Sequence, residues 1–188
     1  MAQNNRRKSR QASIRMAFCG VMTALSVSIM LAGGLIPIAT YCAPMIAGVF
    51  LLPILMEFGE KTAWITFTAT ALLCLLMGND KEASFFYIFV GYYPIIKWRI
   101  DRVGKNRALR ILMKLAVFSA SILLMYWMLC YLMNMRAIAA EFEEMGVWLS
   151  LLFLAFFDIC MLLYDRLLLP LVIIYAKRLR PRLTFFRT

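Results

Sequence analysis

Apolar residues run along this chain in long blocks, parted by short polar or basic stretches. A first block, Ile14 to about Leu35, ends at Gly33-Gly34 and Pro37. A second starts near Pro44 and runs to about Met56, where Glu57, Gly59, Glu60 and Lys61 mark a tight turn. The third covers about Thr62 to Met77, and the polar loop Gly78–Glu82 parts it from a fourth, about Ala83 to Trp98. A basic stretch to about Arg110 predicts an interfacial helix continuing into the fifth block, Ile111 to Met133. After the acidic, polar segment Asn134–Met145, the sixth opens at Gly146 and stays apolar to Ala176.

These blocks predict an all-α polytopic bundle of six transmembrane helices. Several fall short of the ~20 residues that span a bilayer comfortably, so the second and fourth are expected to tuck against neighbours. The organisation read from the pattern is a basic tail 1–13, a helical domain 14–176 and a basic tail 177–188. The apolar run from Met16 is long for a secretory signal and lacks a convincing small-x-small cleavage site, so it reads as a retained first helix.

Composition supports the bilayer as solvent. Of 188 residues, 63% are hydrophobic and 16% charged, with a mean hydropathy of +0.77. A soluble domain of this size would leave large apolar patches exposed. The net charge of +11 comes from blocks between the apolar runs: Arg6, Arg7, Lys8 and Arg10; Lys97 through Lys114; Lys177 through Arg187. Eighteen of the 21 lysines and arginines fall on one set of loops and tails and two on the other, with Arg166 inside the sixth block. The positive-inside rule then puts both termini in the cytoplasm, where the basic tails face anionic lipids. No soluble basic module remains to bind nucleic acid.

The chain has no histidine, which excludes His-based acid–base chemistry and Ser-His-Asp triads. Its five cysteines are scattered singly, an arrangement that offers no structural zinc site. No cofactor and no enzymatic activity are expected.

Four constellations stand out. Along the first helix Ala17, Gly20, Ala24, Ser28 and Ala32 fall within an arc of about 120°. Such a small-residue stripe admits a close helix neighbour, in the same chain or in a partner subunit. Asn79, Asp80, Lys81 and Glu82 offer donors and acceptors at the mouth of the fourth helix, as a binding lip or a solvated turn. Tyr87, Tyr92 and Tyr93 line that helix as packing or as a binding wall, and Pro94 removes the amide that would bond toward Val90, predicting a kink. Asp158 lies roughly 18 Å inside the sixth helix and is expected to be paired within the bundle. Asp165, at i+7 from Asp158, and its neighbour Arg166 read either as charges within the span that find partners in protein or water, or as headgroup-level residues if the membrane ends near Asp165.

The six-helix plan, the basic N-terminal tail and Gly20-x-x-x-Ala24 resemble the substrate-binding S components of energy-coupling factor (ECF) transporters. The nearest family signature is Ala-x-x-x-Ala, so Gly20 replaces its first alanine. Gly91-Tyr92-Tyr93-Pro94-Ile95-Ile96-Lys97 is similar to a segment of uncharacterised proteins grouped with that family. The resemblance implies a multi-pass protein of a bacterial cell membrane that captures a vitamin-like or other small molecule. It implies docking through Gly20 and Ala24, with Ala17 and Ser28 of the same stripe beside them, on a transmembrane coupling subunit, with two cytoplasmic ATPase subunits driving the cycle. It places the ligand near the outer loops Gly33–Ala43, Gly78–Glu82 and Asn134–Met145, which makes Asn79, Asp80, Lys81, Glu82, Tyr87, Tyr92, Tyr93 and Asp158 candidate contacts. The alternative is a non-catalytic scaffold similar to the cell-shape protein MreD.

Overall fold

The computed structural model describes residues 2–36, 39–78, 80–103, 107–131 and 136–182, and all regular structure among them is helical. The helices are α1 (Ala2–Gly33), α2 (Ala39–Val49), α3 (Leu51–Phe58), α4 (Glu60–Met77), α5 (Lys81–Val90), α6 (Tyr93–Val103), α7 (Arg107–Tyr131) and α8 (Arg136–Ile174). A π-helical turn, Tyr175–Leu179, and a 3-10 turn, Arg180–Arg182, follow α8. Four stretches are long and apolar enough to cross a membrane: Ser9–Gly33, Ala39–Phe58, Ala108–Met125 and Leu154–Leu179.

The chain forms two compact units, one of residues 1–95 and 168–188, the other of residues 96–167. In the first, α1 packs on α2 and α4, α2 also packs on α5, and α3 lies along α4. The α1–α2 contact depends on a glycine, since a Cβ at Gly33 would overlap the Ala43 Cβ. The face α1 buries carries Ser26, Val27, Met30 and Gly33. Between α2 and α3 the helix breaks at Phe50, and Pro53 sits in the first turn of α3, where a missing amide costs no helical bond. The Ala47 carbonyl there accepts from the Phe50 amide at 3.3 Å and from the Ser26 hydroxyl at 3.2 Å. Gly59, at φ +81°, makes the turn into α4 in a conformation that other residues rarely adopt.

Helix α4 contains four threonines, Thr62, Thr66, Thr68 and Thr70. Together with the leading Glu60-Lys61 they dilute its hydropathy, and it falls outside the four apolar stretches. Each hydroxyl bends back to the carbonyl four residues earlier, at 2.9–3.3 Å. Thr66, Thr68 and Thr70 are thereby satisfied within the helix, while Thr62 reaches back across the Gly59 turn to the end of α3.

Several boundaries differ from the pattern reading. The basic tail from Ala2 continues α1 as helix, since Arg, Lys and Gln are good helix formers even without an apolar face. The second helix begins at Ala39 rather than Pro44. The predicted fourth helix is two pieces, α5 and α6, separated at Gly91-Tyr92, so Pro94 produces a break rather than a kink. The last helix opens at Arg136, ten residues before Gly146, and the acidic segment from Arg136 to Met145 is helical. Asn134 lies outside the described residues.

Candidate functional site

Where α1 ends and α4 turns into α5, the first unit encloses a partly open cavity of about 300 Å³. The end of α1 contributes Met30, Leu31 and Ala32, followed by Gly34 and Leu35. Cys74 and Gly78 come from α4 and its terminus, and Asp80, Ala83 and Ser84 from the start of α5.

Local capping builds this wall. Asp80 is the N-cap of α5, in extended backbone, and its Oδ1 accepts from the Ala83 amide at 3.1 Å. Its Oδ2 accepts from the Thr40 hydroxyl at 3.0 Å, so one carboxylate joins α5 to the start of α2. The end of α4 is satisfied from the same turn. Ser84 Oγ donates to the Cys74 and Asp80 carbonyls, each at 3.0 Å, and Lys81 Nζ donates to the Leu75 carbonyl at 2.8 Å. Lys81 thus takes up a carbonyl of the α4 C-terminus, and Ser84 adds a second donor to the Cys74 carbonyl, which already accepts from the Gly78 amide at 2.8 Å.

The predicted contacts divide accordingly. Asp80 lies in the cavity wall, Lys81 and Glu82 are exposed beside it, and Asn79 is outside the described residues. The three tyrosines are not in this wall. Tyr87 is fully buried against the Phe67 ring, with centroids 5.4 Å apart, and Tyr93 is also buried. Tyr92 stacks on Trp64 and meets Phe67 edge-on, each at 6.0 Å. They form an aromatic packing layer between α4 and the α5–α6 junction. Asp158 belongs to the second unit, where its Oδ2 accepts from the Ser119 hydroxyl at 3.1 Å, an internal partner of the kind expected.

The second unit holds a charge cluster that spacing did not suggest. Lys97 Nζ contacts Asp165 Oδ1 at 2.5 Å and donates to the Asp165 carbonyl at 2.7 Å. Lys114 Nζ lies 3.0 Å from Asp165 Oδ2 and 3.0 Å from Asp101 Oδ1. Lys97, Lys114 and Asp165 are all buried. Two lysines and two aspartates from α6, α7 and α8 neutralise one another. Asp165 is therefore a packed, ion-paired residue, whereas its neighbour Arg166 is exposed.

The small-residue stripe of α1 lies opposite the face that packs on α2 and α4. Ala17, Gly20, Ala24, Ser28 and Ala32 are all exposed, and a Cβ at Gly20 would meet open space. The close approach within the chain uses Gly33 instead. No protein-family model, curated protein or solved structure matches the chain.

Proposed function

We propose that this protein is the substrate-capture membrane subunit of an ECF-type importer in a bacterial cell membrane. The observation that carries this reading is the cavity between the end of α1 and the α4–α5 turn, with Asp80 fixed in its wall. By the distribution of lysine and arginine, that turn faces outward and both termini face the cytoplasm. The α4 helix and the α5–α6 pair would complete six spans with the four apolar stretches. The exposed stripe of α1 supports docking on a transmembrane coupling subunit that carries two cytoplasmic ATPases. The protein itself would hydrolyse nothing.

Purification from the host in mild detergent, with mass spectrometry of co-eluting proteins and small molecules, tests this reading. The expected result is a coupling subunit, ATPases and a bound small molecule. Gly20→Leu and Ala24→Leu should lose the coupling subunit while leaving the protein folded and inserted. Cell-wall synthesis proteins with no small molecule would replace the proposal with an MreD-like scaffold.

A further inference from the structure

The cavity's polar groups are unevenly divided between donors and acceptors. Asp80 is the one charged side chain among the described residues of its wall. Its carboxylate has about four lone-pair positions. The Ala83 amide and the Thr40 hydroxyl occupy two of them. Ser84 donates its hydrogen to protein carbonyls, so toward the cavity it can only accept. The backbone amides of the wall are also committed: Gly34 to Met30, Leu35 to Ala32, Gly78 to Cys74 and Ser84 to Asp80. The Cys74 thiol, a weak donor, is what remains on that side of the balance. Lys81 sends its ammonium to the Leu75 carbonyl and is not part of the wall.

An anion entering here would meet a carboxylate and scarcely any donor. The N-terminus of α5, which would otherwise attract an anion, already has its own in Asp80, with Glu82 in the first turn. A cation meets the opposite conditions. Asp80 offers unused acceptor positions, and Ser84 offers its oxygen. Met30, Leu31 and Leu35 supply apolar wall for a hydrocarbon body. The volume is at the lower end of ligand sites, which run from ≈300 to 1,000 Å³.

We propose that the cavity takes a small organic cation bearing an ammonium group, with Asp80 as its counter-ion. This inference rests on the capture reading above and narrows the class of molecule captured.

The test uses the purified full-length protein in nanodiscs and three probes of matched shape: benzylammonium, benzyl alcohol and benzoate. Binding is read by calorimetry and thermal shift. Benzylammonium should bind, and benzoate should bind at least about tenfold more weakly, as expected where a charge-assisted hydrogen bond is replaced by like-charge contact. Asp80→Asn keeps a competent N-cap and should weaken benzylammonium roughly ten- to a hundredfold, and benzyl alcohol by a clearly smaller factor. Ala32→Phe adds bulk to the α1 side of the wall, leaves the Asp80 side chain in the sequence and should abolish binding of every probe, which serves if Asp80→Asn fails to fold. Benzoate binding as tightly as benzylammonium, and blocked by Ala32→Phe, would overturn the cation assignment and leave capture standing. If none of the three binds, the molecule carried through purification decides. A cation there supports the proposal, a neutral or anionic molecule overturns it alone, and no molecule at all overturns the capture reading with it.

Discussion

Replacing Asp165 with leucine removes a carboxylate shared by Lys97 and Lys114 and leaves both ammonium groups in place. Side-chain exposures of 7% for each lysine and 13% for Asp165 leave little water to take over its role. At an effective dielectric of about 20, each contact near 3 Å supplies roughly 5–6 kcal/mol of attraction. Desolvation, at several kcal/mol per ion, offsets most of it in the intact cluster. The substitution removes the attraction and keeps the desolvation of the lysines, so the expected loss is about 3–5 kcal/mol. Lys114 retains Asp101, which argues for the lower part of that range. At about 2–4 °C per kcal/mol for a chain of this size, the melting temperature in detergent should fall by roughly 6–20 °C. Asp165→Asn, which keeps an acceptor, should fall between this variant and the parent. The decisive comparison is the triple variant Lys97→Met, Lys114→Met, Asp165→Leu. Removing these three leaves no stranded ammonium group, and the remaining Asp101, one-third exposed, can turn to water, so the variant should melt close to the parent or above it. A melting temperature for Asp165→Leu within about 1 °C of the parent, or a triple variant no better than the single one, would refute the cluster as a buried, mutually compensated unit.

Reporter fusions after Arg10, within 79–82, within 102–107 and after Arg182 should read inside, outside, inside and inside. An outside signal at 102–107 would overturn the six-span topology. Gly33→Val should destabilise the protein by about 1–3 kcal/mol in thermal or denaturant melts, because its Cβ would overlap that of Ala43. A neutral effect would mean that α1 and α2 are less closely apposed than described. Asp158→Leu should cost about 1–3 kcal/mol by stranding the Ser119 hydroxyl, and Asp158→Asn less. Equal and negligible effects would place Asp158 outside any internal bonding.

The apolar blocks were legible because a bilayer or a packed helix leaves a long, uninterrupted signature. What polarity was taken to end, backbone propensity continued. Ala137, Ala139, Ala140, Glu141, Glu143 and Glu144 are strong helix formers, and that segment reads as a loop only when charge is treated as a break. The split at Phe50 is flanked by Gly48 and Pro53, neither of them at the break itself, inside an otherwise continuous apolar run, so its signal was weak. At the candidate site, Asp80 was visible as a polar residue beside a helix start. Thr40, Cys74 and Ser84 were not, since apolar-looking or small residues acquire a role only when α1, α4 and α5 meet. The three tyrosines were misleading for a related reason: aromatic residues look equally suited to a ligand wall and to packing, and here Phe67 and Trp64 claim Tyr87 and Tyr92. The charge cluster joins Lys97 to a partner 68 positions away, a distance no local pattern reports.

The back-bonded threonines of α4 have a bearing on the order in which the protein is built. Thr66, Thr68 and Thr70 find their hydroxyl partners within α4 itself, so their polarity asks nothing of the neighbouring helices while the segment is being made. Lys114 and Asp165 lie within two of the apolar stretches and have no such independence. Each carries an insertion penalty of about 2.5–3.5 kcal/mol near the centre of a span until it meets its counter-ion. Biogenesis would then proceed in two tempos: early segments released singly, and α7 held at the membrane's threshold until α8 has been synthesised and can enter beside it.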